Sequence, residues 1–149
     1  MPRANTRYFG IKEYSEDAVI ELAAPMLGFA NEKTFVIIQL PEQHPLVYLQ
    51  STRTPDLCFV ALPVLAVDVA YDLLLSEEDS RLLGVSTKPS IGVEVLCLAL
   101  IAVDQSGTTA NLLAPVVINL RSLRAAQCVN PETSYSHQHL LKTGELVAS

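Results

Sequence analysis

The stretch Thr109-Ala-Asn-Leu-Leu-Ala-Pro-Val-Val-Ile-Asn-Leu120 contains the local signals that decide the fold. Asn111 stands at the mouth of an apolar turn, where its side-chain amide can bond the backbone two residues on or cap the turn. Pro115 ends that turn and releases the chain into a β-branched run, which Asn119 interrupts. We therefore assign Asn111, Pro115 and Asn119 to structure: they build a hairpin-like crossover that packs into the core.

The segments on either side carry the same pattern of strands and turns. The cluster Asp104-Gln-Ser-Gly-Thr108 predicts a turn, which ends the run Ile91–Val103. This run is apolar at odd and even positions alike, so we expect a strand that is covered on both faces. Pro63 cannot donate a ladder hydrogen bond, so the run Leu57–Val67 should be a strand to Leu62 and then change direction. Further strands are predicted at Tyr8–Tyr14, Thr34–Leu40, Leu46–Gln50, Val116–Leu120 and Ala126–Val129.

Helical signals are few, and the clearest lies between Ser76 and Gly84. The serine can accept a hydrogen bond from the first turn, three acids follow at the positive end of the helix dipole, and the glycine suits a left-handed stop. Such a helix is too short to be stable alone, so its two leucines should pack on the sheet. The stretch Ser136–Val147 predicts either a short helix broken at Gly144 or a tail.

Seven or so short strands with one or two short helices predict a mainly β fold, either a small β-barrel or a barrel-like sandwich. The chain has 149 residues, and 50% of them are hydrophobic. That length and composition suit one core, so we expect residues 1–149 to form a single domain.

The sequence also indicates the cellular compartment in which the protein works. The start of the chain has no apolar signal segment, and its longest apolar run, Ile91–Val103, carries Glu94. A membrane span would need about 20 apolar residues. The three cysteines, Cys58, Cys97 and Cys128, lie far apart in apolar runs, a pattern that favours buried free thiols over disulfides or zinc. We expect a cytoplasmic, monomeric protein without a membrane span.

The net charge of −6 is concentrated in one part of the chain. From Thr54 to Leu120 there are eight acidic and two basic residues, and the rest of the chain is balanced. Such a segment is unsuited to nucleic acid, which needs a positive surface, and favours a basic protein partner. Solubility alone is the alternative explanation. The candidate partner-binding residues are Asp68, Asp72, Glu77, Glu78 and Asp79.

Enzyme signatures are missing from the sequence. It contains no phosphate-binding glycine loop, no nucleophile elbow and no zinc-protease motif. His137 and His139 would share one face of a strand, but a zinc site needs more ligands than these two. We therefore expect no catalytic residue, metal or cofactor. The alternative is a small-ligand-binding or hydrolytic protein that uses His137, His139 and a cysteine.

Several blocks, in order along the chain, resemble the FliW family of flagellar assembly factors. The segment Thr109–Leu120 is similar to the most characteristic stretch of that family. The resemblance covers roughly Thr6 to Leu140, and a nine-residue extension, Leu141–Ser149, follows. The closing block has His137 where an Arg is expected. The other matching blocks are Arg7-Tyr-Phe-Gly10, Met26-Leu-Gly-Phe29, Phe35-Val-Ile-Ile38, Leu49-Gln-Ser51, Pro55-Asp-Leu-Cys-Phe59 and Gln127-Cys-Val129 with Tyr135.

The resemblance implies a binding function without catalysis. FliW-like proteins bind cytoplasmic flagellin and also CsrA, the RNA-binding repressor of flagellin translation. Binding to CsrA relieves the repression, and accumulating flagellin draws the FliW-like protein away. The acidic middle of this chain agrees with a basic partner such as CsrA.

Overall fold

The computed structural model describes residues 2–26, 28–29, 31–105, 107–129 and 134–141. Strands dominate these residues, with two short α-helices, α1 (Val64–Val67) and α2 (Glu77–Leu83), and two single 3₁₀ turns, Glu16–Ala18 and Pro41–Gln43. The strands are β1 (Arg3–Thr6), β2 (Gly10–Glu13), β3 (Ile20–Leu22), β4 (Thr34–Ile38), β5 (Val47–Ser51), β6 (Cys58–Pro63), β7 (Val95–Asp104), β8 (Gly107–Ala110), β9 (Val116–Asn119), β10 (Arg124–Gln127) and β11 (His139–Leu140).

Seven of these strands close into a barrel. Their order around the wall is β7-β6-β5-β4-β3-β10-β9, and β9 pairs back with β7 to close the ring. All pairs are antiparallel except β10 with β3, which run parallel. Closure removes unpaired strand edges from the ring. The prediction of a mainly β fold with a small barrel is thus confirmed.

The barrel wall separates two hydrophobic clusters by strict alternation along each strand. On β9, Val116 and Ile118 point into the barrel, whereas Val117 points outward to a second cluster. On β7, Leu98 belongs to the inner cluster and Cys97 to the outer one. Successive side chains of a strand point to opposite faces, so these strands must be apolar throughout if both faces are covered.

The prediction of a strand covered on both faces is therefore correct only for the middle of the run Ile91–Val103. The strand begins at Val95, and the residues before it, from Gly92 to Glu94, form a turn. Beyond Ile101 the strand leaves the outer cover, and Val103 is 77% exposed. This end pairs with β8, which in turn pairs with β11, in a three-stranded extension of the barrel.

Two other expectations are corrected. The first predicted strand, Tyr8–Tyr14, is instead the turn and second strand of the hairpin β1–β2, which folds over the barrel; Gly10 takes the positive φ of 69° after the turn. In the stretch Ser136–Val147, the described residues form a turn and β11 rather than a helix, because His139 pairs with Ala110. Residues 142–149 lie outside the described part.

The crossover between β8 and β9 has the predicted construction. The Asn111 side-chain oxygen accepts a hydrogen bond from the Ala114 N–H at 2.9 Å and so caps the turn. Pro115 is buried immediately before β9, and the Cys128 N–H donates to its carbonyl at 2.9 Å. The change of direction at Pro63 is also confirmed, since β6 ends there and α1 begins at the next residue.

Candidate functional site

The acidic candidates lie on a segment that covers the outside of the barrel. This segment, which we call the roof, runs from Val64 to Val85 and comprises α1, a loop and α2. It covers outward-facing residues of β6, β7, β9 and β10. Its own buried hydrophobic side chains are Val64, Tyr71, Leu73, Leu75 and Leu83, which pack on Leu62, Val95, Cys97, Ala99, Val117 and Ala126 of the barrel wall.

Helix α2 forms as its sequence signals predict. The Ser76 hydroxyl accepts from the Asp79 N–H at 3.0 Å, and Gly84 ends the helix in the left-handed conformation with a φ of 70°. Leu83 is 1% exposed and fixes the helix to the barrel. A seven-residue helix needs this packing, since its backbone hydrogen bonds alone cannot hold it.

Asn119 holds the end of this helix to the barrel wall. Its side-chain nitrogen donates to the Leu83 carbonyl at 2.8 Å, which satisfies one of the free carbonyls at the helix end. Its side-chain oxygen accepts from the N–H groups of Arg121 and Ser122 at 2.8 and 3.3 Å. The interruption of an apolar run by Asn119 therefore has a structural explanation.

Tyrosines fix the loop between the two helices. The rings of Tyr71 and Tyr135 stack with a centroid separation of 4.3 Å. The Tyr71 hydroxyl donates to the Leu112 carbonyl at 2.6 Å, and the Tyr135 hydroxyl accepts from the Asp72 N–H at 2.9 Å. These contacts join the roof to the turn that precedes Pro115, so the characteristic segment of the chain supports the acidic segment.

The five acidic candidates differ in how far they reach solvent. Asp72, Glu77 and Glu78 are exposed. Asp68 is half-buried, and its carboxylate accepts from the Ala70 N–H at 2.9 Å. Asp79 is half-buried at the first turn of α2. Only part of the charge of the acidic segment therefore faces outward.

The Asp79 carboxylate also affects the pKa of the Cys128 thiol, which lies far from it along the chain. Burial, and then the neighbouring Asp79 carboxylate, raise the pKa of the Cys128 thiol to about 12. Burial likewise raises the pKa of the half-buried Cys58 to about 11 and that of the buried Cys97 further above its usual value. Thiols with raised pKa values stay protonated at neutral pH, which disfavours them as nucleophiles.

The structure does not support the alternative of a ligand-binding or hydrolytic site built from His137, His139 and a cysteine. His137 is exposed in a turn and His139 is half-buried on β11, so they do not lie together on one strand face. An open pocket of about 410 Å³ at the turn of the β1–β2 hairpin is lined by Cys58 with Tyr8, Phe9 and Tyr48 but by neither histidine. Among the described residues, no group of three or more His, Cys, Asp or Glu side chains could hold a metal ion. No described helix is long and apolar enough to cross a membrane.

The comparisons with known proteins agree on one family. The family model of the FliW protein matches residues 3–141. A flagellar assembly factor FliW from Bacillus subtilis (strain 168) is 33% identical over 135 residues, which cover 91% of this chain and 93% of that protein. One from Heliobacterium modesticaldum is 32% identical and covers 93% and 90% respectively.

A solved structure supports the same relationship. The crystal structure of a flagellar assembly factor FliW superposes with a TM-score of 0.82 at 30% sequence identity. It covers 95% of this chain, and this chain covers 98% of it. The match of the family model over nearly all of the chain, together with these relatives, shows that the chain belongs to the FliW family of flagellar assembly factors.

Proposed function

We propose that this protein is a non-enzymatic regulator that binds flagellin and the translational repressor CsrA in the cytoplasm. Binding to CsrA would relieve repression of flagellin synthesis, and flagellin would compete for the protein as it accumulates. Membership of a family of flagellar assembly factors supports a role in flagellar biogenesis. We also propose that residues 1–149 act as one monomeric domain without metal or cofactor.

The observation that carries the CsrA part of this proposal is the exposed negative charge of the roof. Glu77 and Glu78 extend from the first turn of α2, and Asp72 is exposed on the loop before it. An RNA-binding repressor must present a basic surface, so its charge is complementary to these residues. Complementary charge mainly accelerates association and selects the partner.

Direct binding tests the proposal. The purified protein is titrated with CsrA and with flagellin from its own organism, with calorimetry as the measurement. We expect each to bind with a dissociation constant in the micromolar range or below. If neither binds at micromolar concentrations, the proposed function is wrong.

Charge reversal tests the surface. The double variant Glu77→Lys/Glu78→Lys should slow association with CsrA by about tenfold at low salt and weaken its salt dependence, because electrostatic steering is lost. The control is Glu16→Lys/Asp17→Lys, which reverses two exposed acids in the first turn of another short helical element, also capped by a serine. If both variants change the association rate equally, the roof is not the binding surface.

A further inference from the structure

The last segment that the structure describes, residues 134–141, joins the roof to the three-stranded extension of the barrel. We call it the strap. Near its start, Tyr135 stacks on Tyr71 of the roof, and at its end Leu141 is buried in the outer hydrophobic cluster. Between these two residues, β11 pairs with β8 over only two residues. The strap is therefore a short link between two parts of the outer surface.

The roof and the strap meet at the backbone of Leu112, in the crossover between β8 and β9. The Leu112 N–H donates to the Ser136 carbonyl of the strap at 2.9 Å, and the Leu112 carbonyl accepts from the Tyr71 hydroxyl of the roof at 2.6 Å. Beside this junction, the Asp72 N–H donates to the Tyr135 hydroxyl at 2.9 Å. A displacement of the strap would therefore break its bonds to the roof and to the crossover together.

The strap itself is held by few buried groups. Its Leu141 side chain is buried, and the Leu141 N–H donates to the Thr108 carbonyl at 2.9 Å. Segments with little buried apolar surface and short strand pairing open at a lower free energy than a closed core. The strap should therefore open locally while the barrel stays folded. Five of its eight residues are exposed, namely Ser134, Ser136, His137, Gln138 and Leu140.

We propose that Tyr135 is a positioning residue for the roof, and that the strap opens and closes together with the loop between α1 and α2, residues 68–76, which we call the roof loop. With the strap in place, Tyr135 holds the backbone of Asp72 and the ring of Tyr71. With the strap released, the roof loop loses both contacts and no longer holds Asp72 in position.

Such a link is reciprocal. A partner that binds the held roof also keeps the strap in place, and a ligand that favours the released strap weakens binding at the roof. The identity of the partner rests on the proposed function, whereas the opening of the strap with the roof loop is a property of the free protein.

Amide hydrogen exchange of the full chain, followed by NMR, tests this property without any partner. The reporters are the N–H groups of Asp72, Leu112 and Leu141, which lie far apart in the sequence and are bonded to the strap or by it. If the strap and the roof loop open as one unit, the three reporters share one opening equilibrium after correction for their intrinsic rates. Different opening equilibria for the strap and the roof loop would overturn the proposal.

Matched variants test the role of Tyr135. Tyr135→Phe keeps the ring and removes the hydroxyl that accepts from Asp72. It should raise the exchange rates of the Leu112 and Leu141 amides about fivefold, the factor expected for one lost hydrogen bond, although their own bonds are unaltered. Tyr135→Ala also removes the stacked ring and should raise these rates by more than about tenfold. Tyr8→Phe is the control, because it removes the hydroxyl of a tyrosine in the β1–β2 hairpin.

A tyrosine that only stabilised the fold would give a different pattern. Loss of global stability raises exchange at all amides, including that of the buried Leu98 in the barrel wall, and lowers the melting temperature. Release of the strap raises exchange in the strap, the crossover and the roof loop alone. If Tyr135→Phe acts on Leu98 as strongly as on Leu112 and Leu141, or leaves all three unchanged, the proposal is overturned.

CsrA tests the reciprocal effect, and this measurement rests on the proposed function. At a free CsrA concentration of about ten times its dissociation constant, exchange of the Leu112 and Leu141 amides should slow about tenfold, because the bound roof keeps the strap in place. The Arg7 amide, which donates to the Pro55 carbonyl at the hairpin, should exchange as before. In Tyr135→Ala the link is cut, so CsrA at ten times the dissociation constant of that variant should no longer slow the Leu141 amide.

The outcomes separate this proposal from the proposed function. If CsrA does not bind, the proposed function is wrong, and exchange in the free protein still decides whether the strap and the roof loop open together. If CsrA binds without slowing the Leu112 and Leu141 amides, the link is overturned while the proposed function stands. Equal slowing of the Leu141 amide in Tyr135→Ala would mean that CsrA contacts the strap directly, and it would also overturn the link.

Discussion

The roof and the β1–β2 hairpin both cover the outside of the barrel, but they close it to different degrees. Under the roof, apolar side chains are fully buried, and Asn119 satisfies the end of α2. At the turn of the hairpin there is an open pocket of about 410 Å³, although the Phe9 ring contacts Tyr48 of the wall edge to face with a centroid separation of 5.1 Å. In the same outward row lies Gln50, which is completely buried and whose side-chain oxygen has no hydrogen-bond partner among the described residues.

This difference indicates that the roof and the β1–β2 hairpin contribute differently to the stability of the fold. Close packing and the Asn119 hydrogen bond hold the roof against the barrel wall, which supports its exposed charges. The β1–β2 hairpin leaves an open pocket and an unpaired Gln50 side-chain oxygen, and both features weaken its packing on the barrel. We therefore expect substitutions under the roof to lower the stability of the whole fold more than equivalent substitutions under the hairpin.

The largest difference should come from removing one leucine from each side. Leu83→Ala deletes a fully buried side chain of the roof and should lower the free energy of unfolding by about 3 kcal/mol. Leu40→Ala acts on a half-buried side chain beside the hairpin cavity and should lower it by about 1 kcal/mol. Urea unfolding followed by circular dichroism measures both. Equal losses would contradict the proposed difference in packing.

The next difference concerns the two buried amides. Asn119→Leu removes the partner of the Leu83 carbonyl and of two N–H groups, so it should cost about 2 kcal/mol. Gln50→Leu removes an unsatisfied oxygen together with long donated bonds of 3.1 to 3.4 Å. It should therefore cost less than about 1 kcal/mol.

The same urea measurement compares these variants, and Leu is close to each amide in size. A cost for Gln50→Leu as large as that for Asn119→Leu would show that the hairpin side is held as firmly as the roof. The two covers would then differ only in the open pocket at the hairpin.

The sequence predicts the parts of this structure that local chemistry determines. The caps at Ser76 and Gly84, the turn at Asn111 and the break at Pro63 each depend on residues close in the chain, and all four are confirmed. The family resemblance is confirmed as well. The two-sided burial of β7 is predicted correctly only as far as neighbouring elements cover it, because cover depends on tertiary structure.

The surface is also predictable only in part, because it too depends on tertiary structure. Counting charges finds the acidic segment, but it cannot show that Asp79 lies against Cys128 from the other end of the chain. The exposure of Leu65 and Ala66 is also hidden in the sequence, since both belong to the run Leu57–Val67, which is apolar throughout and predicts core. Only the turn of the chain into α1 shows that Leu65 points outward while Val64 points inward.

The smallest difference should appear at alkaline pH, where buried thiols resist ionisation. Cys128, on the roof side, is 1% exposed and has a pKa raised to about 12, so only the unfolded state ionises it between about pH 9 and pH 12. Its contribution to stability is complete below the unfolded pKa and is lost as the pH rises through that window. At about pH 10 the loss should be about 1 kcal/mol relative to neutral pH. The variant Cys128→Ala should show a correspondingly weaker decline in urea stability. Cys58→Ala should behave in the same way at about pH 10 and differ only above about pH 11, where Cys58, whose pKa is raised to about 11, begins to ionise in the folded state. If the free energies of unfolding of Cys128→Ala and the unmodified protein instead differ by the same amount at neutral and alkaline pH, the Cys128 thiol is not buried under the roof. That result would contradict the difference in packing between the roof and the hairpin.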